Sequence, residues 1–179
     1  MAIEPGLCIR VSGPYSCSQH TAEEGIDMTS KDNSKAALID SLNGLLADTF
    51  ALYIKTKNFH WHVRGPQFHD LHLLFDAQAT EVFGLTDLIA ERVRKLGGTT
   101  LTSIGAIGAK STIKDEDDTT LDAMAMVKQL FEDNSAYVET LKATKELAGE
   151  AGDNATDGVI DDWTDQAEQR AWFLREIIA

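Results

Sequence analysis

The sequence predicts an all-α protein, a four-helix bundle with one long crossover connection carrying a short helix. Apolar residues recur at three- and four-residue steps over four long segments, and glycines or Gly-Pro interrupt that pattern between them. No alternating β-branched run or Asn-Gly pair signals a strand or hairpin.

Residues 1–33 carry Pro5, Gly6, Gly13, Pro14 and Gly25 among polar residues without a sustained period, which reads as a mobile tail preceding a bundle domain over 34–179. The polar tract before Met28 makes that residue a candidate natural start. The first helix follows from Leu42, Leu45, Leu46, Thr49, Leu52, Tyr53, Thr56, Phe59 and His60, with Ser34 as the expected cap. Gly65-Pro66 ends it. A second helix follows from Phe68, Leu71, His72, Phe75, Ala79, Val82, Phe83, Thr86, Ile89, Ala90, Val93 and Leu96, and Gly97-Gly98 stops it. Residues 97–118 suit a long connection with a helical turn near Leu101 to Ile107. Thr119 or Thr120 then caps a third long helix on Leu121, Met124, Val127, Phe131, Val138 and Leu141, which ends at Gly149 and Gly152. The fourth runs from about Asp153 with Val159, Trp163, Gln166, Arg170, Phe173 and Ile177 on one face.

Composition bounds the function. The 179 residues, 43% hydrophobic and 25% charged, suit one globular domain and exclude a disordered chain. The two cysteines, Cys8 and Cys17, both lie in the tail, so no disulfide framework holds the domain and a reducing compartment is expected. With neither a basic-then-apolar leader nor an apolar run of about 20 residues, the expectation is a cytoplasmic protein with no membrane partner. A net charge of −13 disfavours phosphate-backbone binding and suits the collection of cations.

Four of the five histidines, His60, His62, His69 and His72, cluster where the first helix turns into the second. His60 and His72 sit on the apolar stripes; His62 and His69 lie off them and read as solvated. Along the second helix His72 is followed at i+4 by Asp76, and Asp87 at i+4 by Glu91. At 100° per residue these four fall within about 100° of one another, so they share a face. Ionisable groups gathered on a half-buried face are costly unless a cation neutralises them. They do not share a height, because His72 and Glu91 are separated by about 28 Å of rise, whereas two metals in one site sit about 4 Å apart. One chain therefore cannot close the site. Two copies of the helix packed antiparallel about a two-fold axis near residues 81–82 bring the His72/Asp76 end of each to the Asp87/Glu91 end of the other, making two sites about 22 Å apart. His60 reaches the same depth across the Gly65-Pro66 turn. Two imidazoles and three carboxylates suit iron, with zinc or manganese as rivals.

The run Lys57-Asn58-Phe59-His60-Trp61, then Arg64-Gly65, Phe68, His72, Asp76, Asp87 and Ala90-Glu91-Arg92, resembles the Dps family, the mini-ferritins named as DNA-binding proteins from starved cells. Trp163 and Trp172-Phe173-Leu174 resemble that family's last helix, so the likeness covers about residues 34–179. Glu-x-x-His, which full-size ferritins carry, and the His-Glu-x-x-His of zinc peptidases are both absent. The resemblance implies a ferritin-like bundle assembled as a homododecameric shell. Its interface ferroxidase centres hold two irons each on His60, His72 and Asp76 of one subunit and Asp87 and Glu91 of another. It implies oxidation of Fe(II), preferably by hydrogen peroxide, and storage of Fe(III) mineral, with zinc as a competitor. Trp61, beside a ligand, is expected to limit water near the metal and intercept stray radicals.

Asp153, Asp157, Asp161 and Asp165 follow one another at i+4 with Asp162 alongside, an arrangement that repels itself by a few tenths of a kcal/mol per pair. Solvation is the plain explanation; by resemblance, Asp153, Asp157, Asp161 and Asp162 line a three-fold pore that admits ferrous ions. A nucleoid-protecting DNA binder and a passive metal-binding shell are the alternatives. Direct DNA binding is disfavoured, because residues 1–35 hold three basic residues against five acidic ones.

Overall fold

The computed structural model describes residues 28–179, with side chains from Lys31 onward. Five helices are present and, among the described residues, no strand: α1 Met28–His62, α2 Phe68–Lys95, α3 Ile104–Lys110, α4 Ala123–Ala151 and α5 Asn154–Ile178. α1 and α2 form one antiparallel hairpin, α4 and α5 the other, and α1 joins the two by packing on α4. The connection from α2 to α4 crosses the bundle and lays α3 against α1. Among the described residues one segment, Lys31–His62, is long and apolar enough by length and composition to cross a membrane. Its apolar stripe is instead the wall of the core: Leu38, Leu42, Leu45, Leu52 and Phe59 are sealed against Phe75, Ile89, Leu130, Leu141 and Leu174.

The chain turns where its chemistry allows. Gly65 takes a φ of 103° between α1 and α2, and Gly152 a φ of 67° between α4 and α5, left-handed values that favour glycine. At the end of α2 the amide of Gly98 donates to Val93 O at 3.0 Å, closing a Schellman-type turn. A Cβ on Gly98 would lie 2.7 Å from Ile39 Cγ2, so the close approach to α1 also excludes a side chain there. The crossover is pinned by Asp48, a buried carboxylate on α1 that accepts from Ser111 Oγ at 2.9 Å, Thr112 N at 2.6 Å and Thr112 Oγ1 at 2.8 Å. These bonds satisfy its charge without a cation.

Several boundaries and faces differ from the periodicity. α1 begins at Met28, so residues 28–33 are helical rather than tail and Ser34 lies inside the helix; the remainder of the tail, with Cys8 and Cys17, lies outside the described residues. The short helix sits three residues later than expected. Asp122, not Thr119 or Thr120, caps α4 by accepting from Ala125 N at 2.9 Å, while Thr120 donates to Asp118. On α5 the buried row is Thr156, Ile160, Trp163, Ala167, Arg170 and Leu174, whereas Val159, Phe173 and Ile177 are exposed. On α2, Phe68 and Phe83 also face outward. Small and hydroxylated residues hold the tight core positions, and large apolar ones were left on an outer face.

Tyr137 is fully buried and shares a hydrogen bond of 2.7 Å with Thr49 Oγ1 across α4 and α1. Burial pushes its phenol from 10.0 up to about 12, against the opposing effects of Thr49 and the Arg170 charge. The unfolded chain therefore releases this proton first, and the contribution of Tyr137 to stability is lost as pH rises through the window from 10 to 12. Thermal unfolding followed across that range should fall steeply in the native protein and less steeply in Tyr137→Phe.

Candidate metal centre

The Gly65-Pro66 turn sets the last turn of α1 beside the first turns of α2, and this brings His60 and His72 together. Their rings stack with centroids 3.9 Å apart and planes inclined by 19°. His60 Nδ1 lies 2.8 Å from His72 O, and His72 Nδ1 lies 2.9 Å from His60 O. A carbonyl can only accept, so both Nδ1 atoms carry the proton and both Nε2 lone pairs are free for a cation. This reciprocal bonding is the support that metal-binding imidazoles ordinarily receive from a backbone carbonyl.

Asp76 joins the pair: its Oδ1 lies 3.9 Å from His60 Nε2 and accepts a short hydrogen bond from Lys57 Nζ. The Lys57 hydrogen bond, helped by its charge and the neighbouring imidazoles and opposed by burial, holds the Asp76 carboxyl below its ordinary value of 3.8. Asp76 is thus a carboxylate ready to bind a cation at neutral pH.

Asp87 and Glu91 are not brought to this cluster. Both are exposed farther along α2, with Glu91 paired to Lys95 at 2.9 Å. Among the described residues no group of three or more His, Cys, Asp or Glu could hold a metal ion within one chain. Exposed apolar side chains lie along the same helix: Leu73 is 54% exposed, Phe83 51% and Leu88 51%. Beside Asp87 an open pocket of about 460 Å³ is walled by Leu46, Phe50, Phe83, Ala90 and Leu101.

Trp61 is 62% exposed on the rim of a pocket with His62, Asn58 and Glu116. His62 donates from Nδ1 to Asn58 O at 2.8 Å, and His69 faces solvent beside Asp70. The acidic row at the start of α5 divides. Asp153 is bound by Arg92 Nη2 at 2.7 and 2.9 Å and by Thr156, which ties α5 to α2. Burial raises its carboxyl, but the Thr156 and Arg92 hydrogen bonds outweigh that and leave it below 3.8. Asp157 and Asp161 share Lys145 at 3.2 and 2.9 Å, and Asp162 is exposed. The residue that sequence reasoning passed over is Lys57, which stands one turn before His60 on the same side of α1; that i,i+3 spacing was the available signal.

A crossover four-helix bundle with paired imidazoles and a carboxylate at its hairpin end defines the class: the chain is a ferritin-like protein, and the ferritin-like domain family matches it over residues 39–179. It is 34% identical over 137 residues to the DNA protection during starvation protein of Brevibacillus brevis, covering 76% of this chain and 91% of that one. Dps from Thermosynechococcus elongatus superposes with a TM-score of 0.81 at 28% identity, over 83% of this chain and 94% of that structure. A Dps protein from Vibrio cholerae O1, described as a member of a broad superfamily of ferritin-like diiron-carboxylate proteins, superposes with a TM-score of 0.78 at 27% identity, over 82% and 92%. The chain belongs to the Dps family.

Proposed function

We propose that this protein is a cytoplasmic mini-ferritin that oxidises Fe(II) with hydrogen peroxide at sites shared between two subunits and stores Fe(III) mineral inside a homododecameric shell. The observation that carries the reading is the half-site: two imidazoles with free Nε2 atoms beside an ionised Asp76, while Asp87 and Glu91 stand on the same helix about 16 to 28 Å away, with exposed apolar side chains along it. An antiparallel second copy of α2 completes two such sites at once and covers Leu73, Phe83 and Leu88.

The chemistry follows from the donors. His60, His72, Asp76, and the partner's contribution through Asp87 and Glu91 hold two ferrous ions side by side as substrate. Each gives one electron to the O–O bond of the peroxide, which breaks to the level of water, and water supplies the remaining oxygens of the ferric product while protons leave. With two electrons delivered together, no hydroxyl radical is released. Trp61 follows the ligand His60 in the chain, and its assigned part is to limit water there, its ring lying on the rim of the neighbouring pocket with His62, Asn58 and Glu116. Protection of DNA, which the names of relatives invoke, then comes from removing iron and peroxide; a shell of chains each carrying −13 repels a phosphate backbone.

The test is anaerobic loading of the size-checked protein with ferrous iron, then a measured pulse of peroxide, following ferric absorbance and residual peroxide. Consumption near one peroxide per two ferrous ions, much faster than in buffer, is expected. Oxidation at the buffer rate would instead favour a passive shell or zinc as the occupant.

The three-fold pore reading assigns Asp153, Asp157, Asp161 and Asp162 to the route of entry for ferrous ions, and of these Asp153 is held by Arg92 and Thr156. Since Lys145 is shared by Asp157 and Asp161, replacing both by Asn removes two negative charges and leaves the ammonium without its carboxylate partners. Uptake in Asp157→Asn/Asp161→Asn should slow several-fold with the shell intact by size-exclusion chromatography. Unchanged uptake would remove these residues from the route.

A further inference from the structure

The last turns of α1, which carry His60 and Trp61, are held from two sides. On one side stands α2, through the reciprocal bonds of His60 and His72. Asn58 lies two positions before His60, about 200° around the helix, so its side chain leaves from the far side. There its Nδ2 donates at 2.7 Å to Glu116 O, on the crossover between α3 and α4. Arg64 Nη2, just beyond the end of α1, donates at 3.3 Å to Thr120 O on the same crossover. Residues 58–64 are thus clasped at both ends to residues 116–120.

The clasp is stiff. Besides its carbonyl, Glu116 is fixed at both carboxylate oxygens: Oε1 accepts from Asp118 N at 2.8 Å and Oε2 from Gln129 Nε2 at 2.7 Å. Asp118 Oδ1 in turn accepts from Thr120 N at 2.8 Å and Thr120 Oγ1 at 2.6 Å, which laces 116–120 to itself. These bonds, from Gln129 foremost to Glu116 and from Thr120 to Asp118, hold both carboxyls below their ordinary values, so the acceptors stay ionised at neutral pH. Gln129 stands on α4, where Asp133 also takes Lys55 of α1 at 2.7 Å, and all four of Glu116, Gln129, Lys55 and Asp133 wall one open pocket. The crossover is therefore anchored to the other hairpin at the level where it grips α1.

A helix end frays because its last carbonyls lack intrahelical partners, and a metal ligand on a fraying turn is poorly presented. His60 is in that position, since α1 ends at His62. We propose that Glu116 is a positioning residue of the metal centre: fixed to α4 by Gln129, it braces α1 through Asn58 and so presents His60 to the cation in a preset place. The inference rests on the half-site of His60, His72 and Asp76. Glu116 acts through the helix, without touching the metal, so a change on α4 is felt at the end of α1.

Cobalt titration of the assembled full-length protein, followed by ligand-field absorbance, tests this without turnover, taking the bands lost in His60→Ala as those of the site. Gln129→Leu, which cuts the tie on α4, should weaken cobalt binding about tenfold, the low end for groups that orient a metal ligand from outside. Glu116→Ala and Asn58→Leu should match it, and Gln129→Leu/Asn58→Leu should lose no more than either alone, because both cut one path. Gln129→Lys, which keeps a donor to the carboxylate, should bind cobalt as the native protein does. Hydrogen exchange read by mass spectrometry on the metal-free protein gives an independent readout: amides of 58–64 should exchange several-fold faster in Gln129→Leu, with those of α5 unchanged. Native cobalt affinity in Gln129→Leu would overturn the proposal, whether or not the other variants assemble. So would additive losses, which give each residue a separate effect, or faster exchange throughout the bundle, which assigns the loss to global stability. If His60→Ala leaves the cobalt bands intact, the half-site itself fails, and that outcome is distinct from a failure confined to the brace.

Discussion

Subunits carrying His60→Ala, and separately subunits carrying Asp87→Asn, are each expected to lose at least about a hundredfold in peroxide-dependent iron oxidation, since even groups that only support a metal ligand cost 10- to 100-fold. Mixing the two defective proteins should restore activity. In the proposed interface site His60 and Asp87 enter from different chains, so in a mixed pair one site receives both defects and the other receives neither. Unfolding and refolding equal amounts together therefore regenerates about one intact site in four if pairing is random. A site built within one chain would regenerate none. Ferric absorbance after a peroxide pulse, compared between the mixed and separately refolded proteins, gives the answer. The separation of Asp76, which joins His60, from Asp87 along α2 makes this result specific: eleven residues of helix are about 16 Å of rise, which no side-chain rotation spans.

Arg170→Ala should strongly destabilise the bundle. The guanidinium is 2% exposed on α5. It donates from Nε to Asn134 Oδ1 on α4 at 2.9 Å and from Nη1 to Glu81 on α2, while Gln78 Nε2 reaches the Arg170 carbonyl at 3.3 Å. One side chain thus ties three helices, including the α2–α5 contact that packing otherwise leaves thin. Truncation removes the pairing charge of Glu81, strands the buried Asn134 oxygen and opens a cavity. Breaking a buried pair costs about 3 to 5 kcal/mol, and the partial exposure of Glu81 places the expectation near the lower end, about 3 kcal/mol. For a chain of this size that is a fall of roughly 6 to 12 °C in Tm. Arg170→Met, which fills the space without the charge, should lose less. Equal losses in the two variants would assign the whole effect to the polar network, and no loss in either would make the network dispensable.

The helices and the separation of Asp87 and Glu91 from the histidine pair were legible in the sequence because both depend on local regularities. α2 was placed almost to the residue, since Gly65-Pro66 and Gly97-Gly98 bound a strong stripe from Leu71 to Val93. The faces of α4 and α5 were read less well. There Ala123, Thr144, Ala148, Thr156 and Ala167 take core positions beside Leu130, Leu141, Trp163 and Leu174, while Trp172, Phe173 and Ile177 are exposed. A stripe drawn through the apolar residues alone passes over these small core positions, and only the packing of neighbours reveals that they lie inside. The cap of α4 was missed for a similar reason: Thr119, Thr120 and Asp122 are all capable, and the backbone path selected Asp122.

By itself the sequence determined the helical class, the placement of His72, Asp76, Asp87 and Glu91 on one face, and their spread over about 28 Å of that helix, because a helix advances by a constant rise and rotation whatever surrounds it. Tertiary structure decided the proton positions of His60 and His72, the occupation of Asp76 by Lys57, the hold of Arg92 on Asp153 and the burial of Arg170 between Glu81 and Asn134. Each of these is a choice among several donors that could reach the same acceptor, made by how far and at what angle one helix lies from the next, and side-chain periodicity carries no information about that distance.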